Sequence, residues 1–219
     1  MKDLEVLQKI KENGVVSIIR GTKLKQTKKT VQALYEGGIR LVEVTYNTPG
    51  ASEIIKELTD EFKDRMIIGA GTVLDSESAR TAILSGAQFI LSPSLNTDVI
   101  QMCKRYSVLA IPGVMTPTEA VQAWQSGAHI VKVFPAVDLG AAFIKHILGP
   151  LNQLEIMAVG GINANNFIEY LKNGACSAGI GSDLVDVKEV DAEKYDEIEG
   201  KAKCFVKVFQ EYQMNGGVR

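Results

Sequence analysis

A lysine interrupts the otherwise apolar run AHIVKVFPA at 128–136, where its neighbours are Ile130, Val131, Val133 and Phe134. An ammonium held among such side chains loses hydration, so the pKa of Lys132 is expected to fall toward that of a nucleophilic free amine. That is the chemistry of an enzyme that works through a Schiff base. The same residue also reads as an edge-strand lysine whose stem covers apolar surface while its head reaches water, and the segment alone leaves both readings open. A second charge sits in a strand-like run, Glu43 within 39–46. At period two it shares one face with Leu41, Thr45 and Asn47, and Lys132 shares one with Ile130 and Phe134. If the two charges meet in a cleft, Glu43 is placed to move protons beside the amine, directly or through one water. The structural alternative is a buried Lys–Glu pair, which is often no more stable than apolar packing.

Two glycine-rich segments add a separate signal. VGGIN (159–163) leads toward a helix expected at 164–172, and GIGSD (179–183) follows an apolar run. Backbone N–H groups in such loops and at a helix N-terminus suit a phosphate, which makes Gly160, Gly161, Gly181 and Ser182 candidate phosphate contacts. Gly-Gly also serves tight turns, so neither segment is specific alone.

These residues need elements to hold them. Short β-rich runs alternate with segments of helical period, and eight such pairs follow an amphipathic N-terminal helix around Leu4, Leu7 and Ile10. Strands are expected at 15–20, 39–46, 66–70, 88–91, 108–111, 129–134, 155–159 and 176–180. Helical faces are plain in Ile54, Ile55, Leu58 and Phe62 and in the final run Ile198, Ala202, Phe205, Phe209 and Tyr212. Gly37-Gly38, Gly86-Ala87, Gly127-Ala128 and Gly174-Ala175 each precede a β-rich run, as glycines that end helices do. Strict alternation implies a parallel sheet, and eight units in this length match an α/β fold of the closed (β/α)8 TIM-barrel type with an extra N-terminal helix. An open doubly wound sheet is the lesser alternative. In a barrel, function collects where strands end. Arg20, Glu43, Thr45, Asn47, Thr72, Pro93, Lys132, Phe134, Val159 and the glycine loops all fall at such ends.

The chain of 219 residues is 46% hydrophobic, enough to bury one core without staples, and no linker or composition break divides 1–219 into two domains. A formal net charge of −2 gives no footprint for nucleic acid, and Lys23, Lys25, Lys28 and Lys29 read as a solvated helix start. Without an apolar leader or an 18-residue apolar span, neither export nor membrane insertion is expected, which leaves a cytoplasmic protein. Cys103, Cys176 and Cys204 are widely spaced and odd in number, so they read as reduced thiols. His129 and His146 form no metal-ligand spacing, and no metal or cofactor is called for.

The set VVSIIRG, LVEVTYNTP, IGAGTVL, FILSPSL, IPGVMTPTE, VKVFPA, VGGIN and GSDLV, in order over about residues 10–185, resembles the class I aldolase family that cleaves 2-keto-3-deoxy-6-phosphogluconate and 4-hydroxy-2-oxoglutarate. The resemblance implies that Lys132 forms the Schiff base with a pyruvyl carbonyl and that Glu43 shuttles protons. It implies further that Thr72 and Pro93 line the pyruvyl pocket, that Phe134 packs over it, and that Gly160, Gly161 and Ser182 contact the phosphate. A homotrimer acting on a small phosphorylated keto acid is implied with them. Two positions depart from the family pattern. Where much of the family has the arginine of LEVTLRT, this chain has Asn47, and Arg20 is the cation that can replace it. Where many members read TGGI, this chain has Val159 and lacks the hydroxyl. Both departures, with IRG at 19–21, resemble the branch acting on the phosphogalactonate epimer. Two further classes remain: a phosphate-binding barrel isomerase or decarboxylase that uses Lys132 as a point charge, and a phospho-sugar sensor without catalysis.

Overall fold

A computed structural model describes residues 2–217. Its strands are β1 (Val15–Ile19), β2 (Leu41–Thr45), β3 (Ile67–Gly71), β4 (Phe89–Leu91), β5 (Leu109–Ile111), β6 (Gly113–Val114), β7 (Ile130–Val133), β8 (Glu155–Val159) and β9 (Ser177–Ile180), all parallel to their neighbours. The order β5-β4-β3-β2-β1-β9-β8-β7-β6 runs once around a barrel, with β5 and β6 at its two ends. These two are one stretch of chain split at Pro112, which has no N–H to give to a ladder. β5 pairs back to β4 and β6 pairs forward to β7, and the Pro112 carbonyl accepts from Lys132 N at 2.8 Å. The nine strands are therefore the eight expected barrel staves, the fifth broken by its proline.

Eleven α-helices accompany them: α1 (Lys2–Asn13), α2 (Leu24–Glu36), α3 (Ala51–Phe62), α4 (Ser76–Leu84), α5 (Thr97–Arg105), α6 (Pro117–Gln125), α7 (Ala136–Leu139), α8 (Ala141–Leu148), α9 (Phe167–Lys172), α10 (Val187–Asp191) and α11 (Tyr195–Met214). The handover glycines behave as their positions require, with Gly86 at φ 100° and Gly127 at φ 101°, conformations that a side chain rarely adopts.

Alternation along the strands sorts the side chains into two cores. Outward residues such as Val42, Val44, Ile68 and Val131 pack against Ile54, Ile55, Leu58, Phe62, Ile198 and Phe205 of the surrounding helices. Inward residues Val16, Leu41, Phe89, Leu91, Leu109, Ile111, Ile130, Met157 and Val159 fill the barrel together with Val6 and Ile10 of α1. The N-terminal helix thus closes the floor of the barrel, the end where the strands begin. Its buried residues, Val6 and Ile10, lie one turn apart, whereas Leu4 is exposed. Of the expected face through Leu4, Leu7 and Ile10, Ile10 is buried and Leu7 packs half-buried against the same cluster, while Leu4 stays in solvent and Val6 is buried in its stead. Lys11 Nζ fixes the plug from the side, 2.5 Å from Glu155 Oε1 at the start of β8.

Candidate active site

At the opposite end of the barrel a cavity of about 880 Å³ opens among the strand ends. Lys132 enters from β7 and Glu43 from β2, and both are buried, at 5% and 1% exposure. That removes the edge-strand reading of Lys132, since β7 is paired on both sides, by β6 and by β8. The amine lies 4.7 Å from the centroid of the Phe134 ring, which covers it from the end of the same strand. Glu43 lies in a slot of β3: a side chain at Gly71 would come within 2.6 Å of its Cδ. Glu43 Oε2 is buried with no hydrogen-bond partner among the described residues.

The buried ion pair that stood as the structural alternative is not made: no distance from Lys132 Nζ to a Glu43 carboxyl oxygen falls within 4.0 Å among the described residues. Each charge is instead pushed toward its neutral form. Burial lowers the pKa of Lys132, against the opposing pull of Glu43 and with a smaller push from the Arg20 guanidinium. Burial raises that of Glu43 and outweighs the two cations, Lys132 and Arg20. An amine and a carboxyl that are each shifted in the direction of the neutral form at one mouth are suited to exchange protons with a third party.

Arg20 follows β1 and reaches over the mouth, where Nη1 donates to Asn47 Oδ1 at 3.1 Å and Nη2 approaches Thr72 Oγ1 at 3.5 Å. Thr72 holds φ 56°, rare for a β-branched residue and found where a loop is otherwise determined. Arg20, Glu43, Thr72, Pro93, Lys132, Phe134, Val159, Gly160, Gly161, Gly181 and Ser182 all line the cavity. Thr45 and Asn47 are not brought to its wall. Thr45 is buried with its hydroxyl 3.1 Å from that of Thr48, and Asn47 stands behind Arg20 as its partner. The period-two face that joined them to Glu43 ends with β2 at Thr45, where the chain turns.

The glycine loops form the far wall. Gly160 and Gly161 have φ 95° and 74°, and a side chain at Gly161 would strike Val137, whose own N–H donates to the Gly160 carbonyl at 3.1 Å. The helix expected at 164–172 begins only at Phe167. Asn163 Oδ1 accepts from Asn165 N and Asn166 N, and Asn166 Oδ1 accepts from Asn163 N, so this asparagine turn takes up residues that helical periodicity alone would assign to the helix. Sequence reasoning passed over Ile18, Asn163, Gly179, Asp183, Val185, Asp186 and Val187, which also line the cavity. Ile18 and Gly179 could have been found by extending the inward face of β1 and the last strand. The residues 183–187 carry no comparable pattern.

The chain is similar to known proteins along most of its length. The family model described as "KDPG and KHG aldolase" matches residues 6–201. The 2-dehydro-3-deoxy-6-phosphogalactonate aldolase of Escherichia coli (strain K12) is 31% identical over 90% of this chain and 95% of its own length. The 2-dehydro-3-deoxy-phosphogluconate aldolase of Treponema pallidum (strain Nichols) is 34% identical over 89% and 91%. Among solved structures, the Legionella pneumophila KDPG aldolase, with pyruvate captured at low pH as a covalent carbinolamine intermediate, superposes with a TM-score of 0.83 at 29% identity, covering 87% of this chain and 93% of that one.

Proposed function

The chain belongs to the KDPG and KHG aldolase family, and we propose that it cleaves 2-keto-3-deoxy-6-phosphogluconate to pyruvate and glyceraldehyde 3-phosphate, with Lys132 as the covalent amine and Glu43 as the proton carrier. The observation that carries this is one cavity that joins a buried lysine and a buried glutamate to two glycine loops. The neutral amine of Lys132 adds its lone pair to the C2 carbonyl, and Glu43 returns a proton to the oxygen so that water leaves and an iminium forms. As the C4 hydroxyl gives its proton to the Glu43 carboxylate, the C3–C4 pair flows into the iminium and the aldehyde departs, leaving an enamine. Protonation of the enamine at C3 and hydrolysis of the imine release pyruvate and restore the amine. The Legionella carbinolamine supports the covalent route.

Arg20 is the cation for the substrate carboxylate, held by Asn47, and a guanidinium can bind that group bidentately. Thr72, Pro93 and Phe134 surround the pyruvyl half, with Thr45 and Asn47 supporting from behind. Gly160, Gly161, Gly181 and Ser182 take the phosphate. The same residues serve 4-hydroxy-2-oxoglutarate, which gives pyruvate and glyoxylate. A second reading, the phosphogalactonate epimer as substrate, is favoured by Val159 on the cavity wall, which presents no hydroxyl, and by Arg20 in place of an arginine at 47. The family resemblance also implies a cytoplasmic homotrimer built from one domain per chain; a monomeric mass by sedimentation would reject the trimer. Incubation with pyruvate and borohydride should fix one reduced pyruvyl group on Lys132, and labelling that persists in Lys132→Ala would sink the covalent role.

A further inference from the structure

Among the described residues Glu43 is held in place by no hydrogen bond to Oε2 and by no ion pair, although Lys132 lines the same cavity. What it does have is a cleft of its own size. An ideal Cβ at Gly71 would lie 2.6 Å from Glu43 Cδ, 2.6 Å from Oε1 and 2.7 Å from Oε2, so the carboxyl rests flat on the bare backbone of β3. Gly71 is not there for its dihedral freedom. It is a regular strand residue, paired with Thr45, and its carbonyl accepts from Tyr46 N at 2.7 Å. The positive-φ residues of the chain do not include it. Alanine would suit this backbone, and the missing side chain is explained only by the space it yields.

We propose that Gly71 is a positioning residue, whose missing side chain parks the Glu43 carboxyl against β3 and keeps it from closing onto the Lys132 amine. This rests on the assignment of Lys132 as the imine-forming group. The consequence is chemical: a carboxylate in contact with the amine would hold it as an ammonium, which has no lone pair to give to a carbonyl, whereas a parked carboxyl leaves the amine free and stays within reach of the water that leaves and returns. The charged groups facing the cavity besides these two are Arg20 at the end of β1 and Asp183 and Asp186 after β9. The three atoms nearest to a Cβ at Gly71 all belong to Glu43.

The test is Gly71→Ala, read by the rate of borohydride-trapped imine formation with pyruvate as a function of pH. The added methyl should drive the carboxyl toward Lys132 and move the acid limb of the profile up by about one unit, a tenfold slower trapping at a fixed pH below it. In Gly71→Ala/Glu43→Gln that upward move should vanish, because an amide cannot hold the ammonium. A profile unchanged in Gly71→Ala, or shifted equally in the double variant, would overturn the proposal, since mere repacking has no reason to depend on the charge at 43. If Gly71→Ala does not fold, Gly71→Ala/Glu43→Asp should fold, its side chain one methylene shorter, and failure of that rescue would also overturn it. Wild-type protein that forms no reducible imine would instead remove Lys132 from its role and leave the steric fact untouched.

Discussion

The two ends of this barrel are built from the same strands under opposite rules. At the floor, Val6 and Ile10 of α1 meet Leu41, Leu109 and Met157 in a closed apolar plug. At the mouth, the continuing inward positions are Glu43, Gly71, Lys132 and Gly179: two charges that form no ion pair among the described residues, and two glycines, of which Gly71 makes room for Glu43 and Gly179 for Val159 and Ile18. Burial that stabilises at one end therefore works against two ionisable groups at the other. The floor holds the molecule together, and the mouth spends part of that stability on reactivity.

The widest separation of the two ends is expected from Lys132→Met. Removing the one lysine amine that lines the cavity among the described residues should lower kcat/KM by on the order of 10⁴–10⁶, and Lys132→Arg should not restore it, because guanidinium stays protonated. With Glu43→Met added, the protein should melt no lower than wild type and gain roughly 1–4 kcal/mol, as buried charges replaced by apolar groups often do. The sign follows from linkage. A lysine whose folded pKa is depressed binds fewer protons when folded, so it costs stability below that pKa and the cost fades as pH rises toward the unfolded value. A double variant that unfolds more easily would end the contrast between floor and mouth.

Glu43→Gln is expected next, with turnover down roughly 10²–10⁴ and folding kept. Because Glu43 raises the pKa of Lys132, losing its charge should move the acid limb of imine formation to lower pH. A limb that stays put would separate the two groups. On the floor the order of effects reverses. Ile10→Ala should cost about 2–5 kcal/mol of stability in a denaturant titration while kcat per folded molecule is unchanged, and a fall in kcat would show that the plug reaches the chemistry.

The expected architecture and the observed one agree where local rules decide. Helix-ending glycines and apolar faces located the staves, and the desolvated lysine stood out because its neighbours in sequence are also its neighbours in space. What failed depended on contacts across the fold. Nothing in residues 1–13 tells that the floor accepts Val6 and Ile10 rather than Leu4. Periodicity cannot see that Asn163 binds the N–H groups of the next residues and delays α9. Asn47 shares a strand face with Glu43 only on paper, since β2 ends first and the side chain turns to Arg20. That the Glu43 carboxyl rests against Gly71 was likewise unreadable, because this glycine lies one strand away.

The glycine loops allow a finer division within the mouth. Gly161 is a poor probe, as any side chain there meets Val137 at φ 74°, but Gly181 has open space around it and no positive φ. Gly181→Asp should therefore spare the fold and raise KM for a phosphorylated substrate at least about tenfold more than for 4-hydroxy-2-oxoglutarate, by like-charge repulsion. Equal losses on the two would take phosphate away from this loop. The smallest expected effect is at Val159. A threonine there can bind a substrate hydroxyl for about 1 kcal/mol, so Val159→Thr should shift the cleavage ratio toward the gluconate-derived epimer, and an unaltered ratio would dismiss the position as a selector.

The plug at the floor also decides traffic. With α1 seated among the inward side chains and pinned through Lys11 to Glu155, the barrel is a cul-de-sac. For the proposed reaction, the keto acid, the departing aldehyde and the water that frees pyruvate must all share one doorway. Hydrolysis then has to queue behind the aldehyde, which gives the enamine a dry interval in which it can also be intercepted by a returning aldehyde. A one-ended vessel of this kind raises the share of enamine that recaptures the aldehyde before pyruvate is released, without altering the equilibrium.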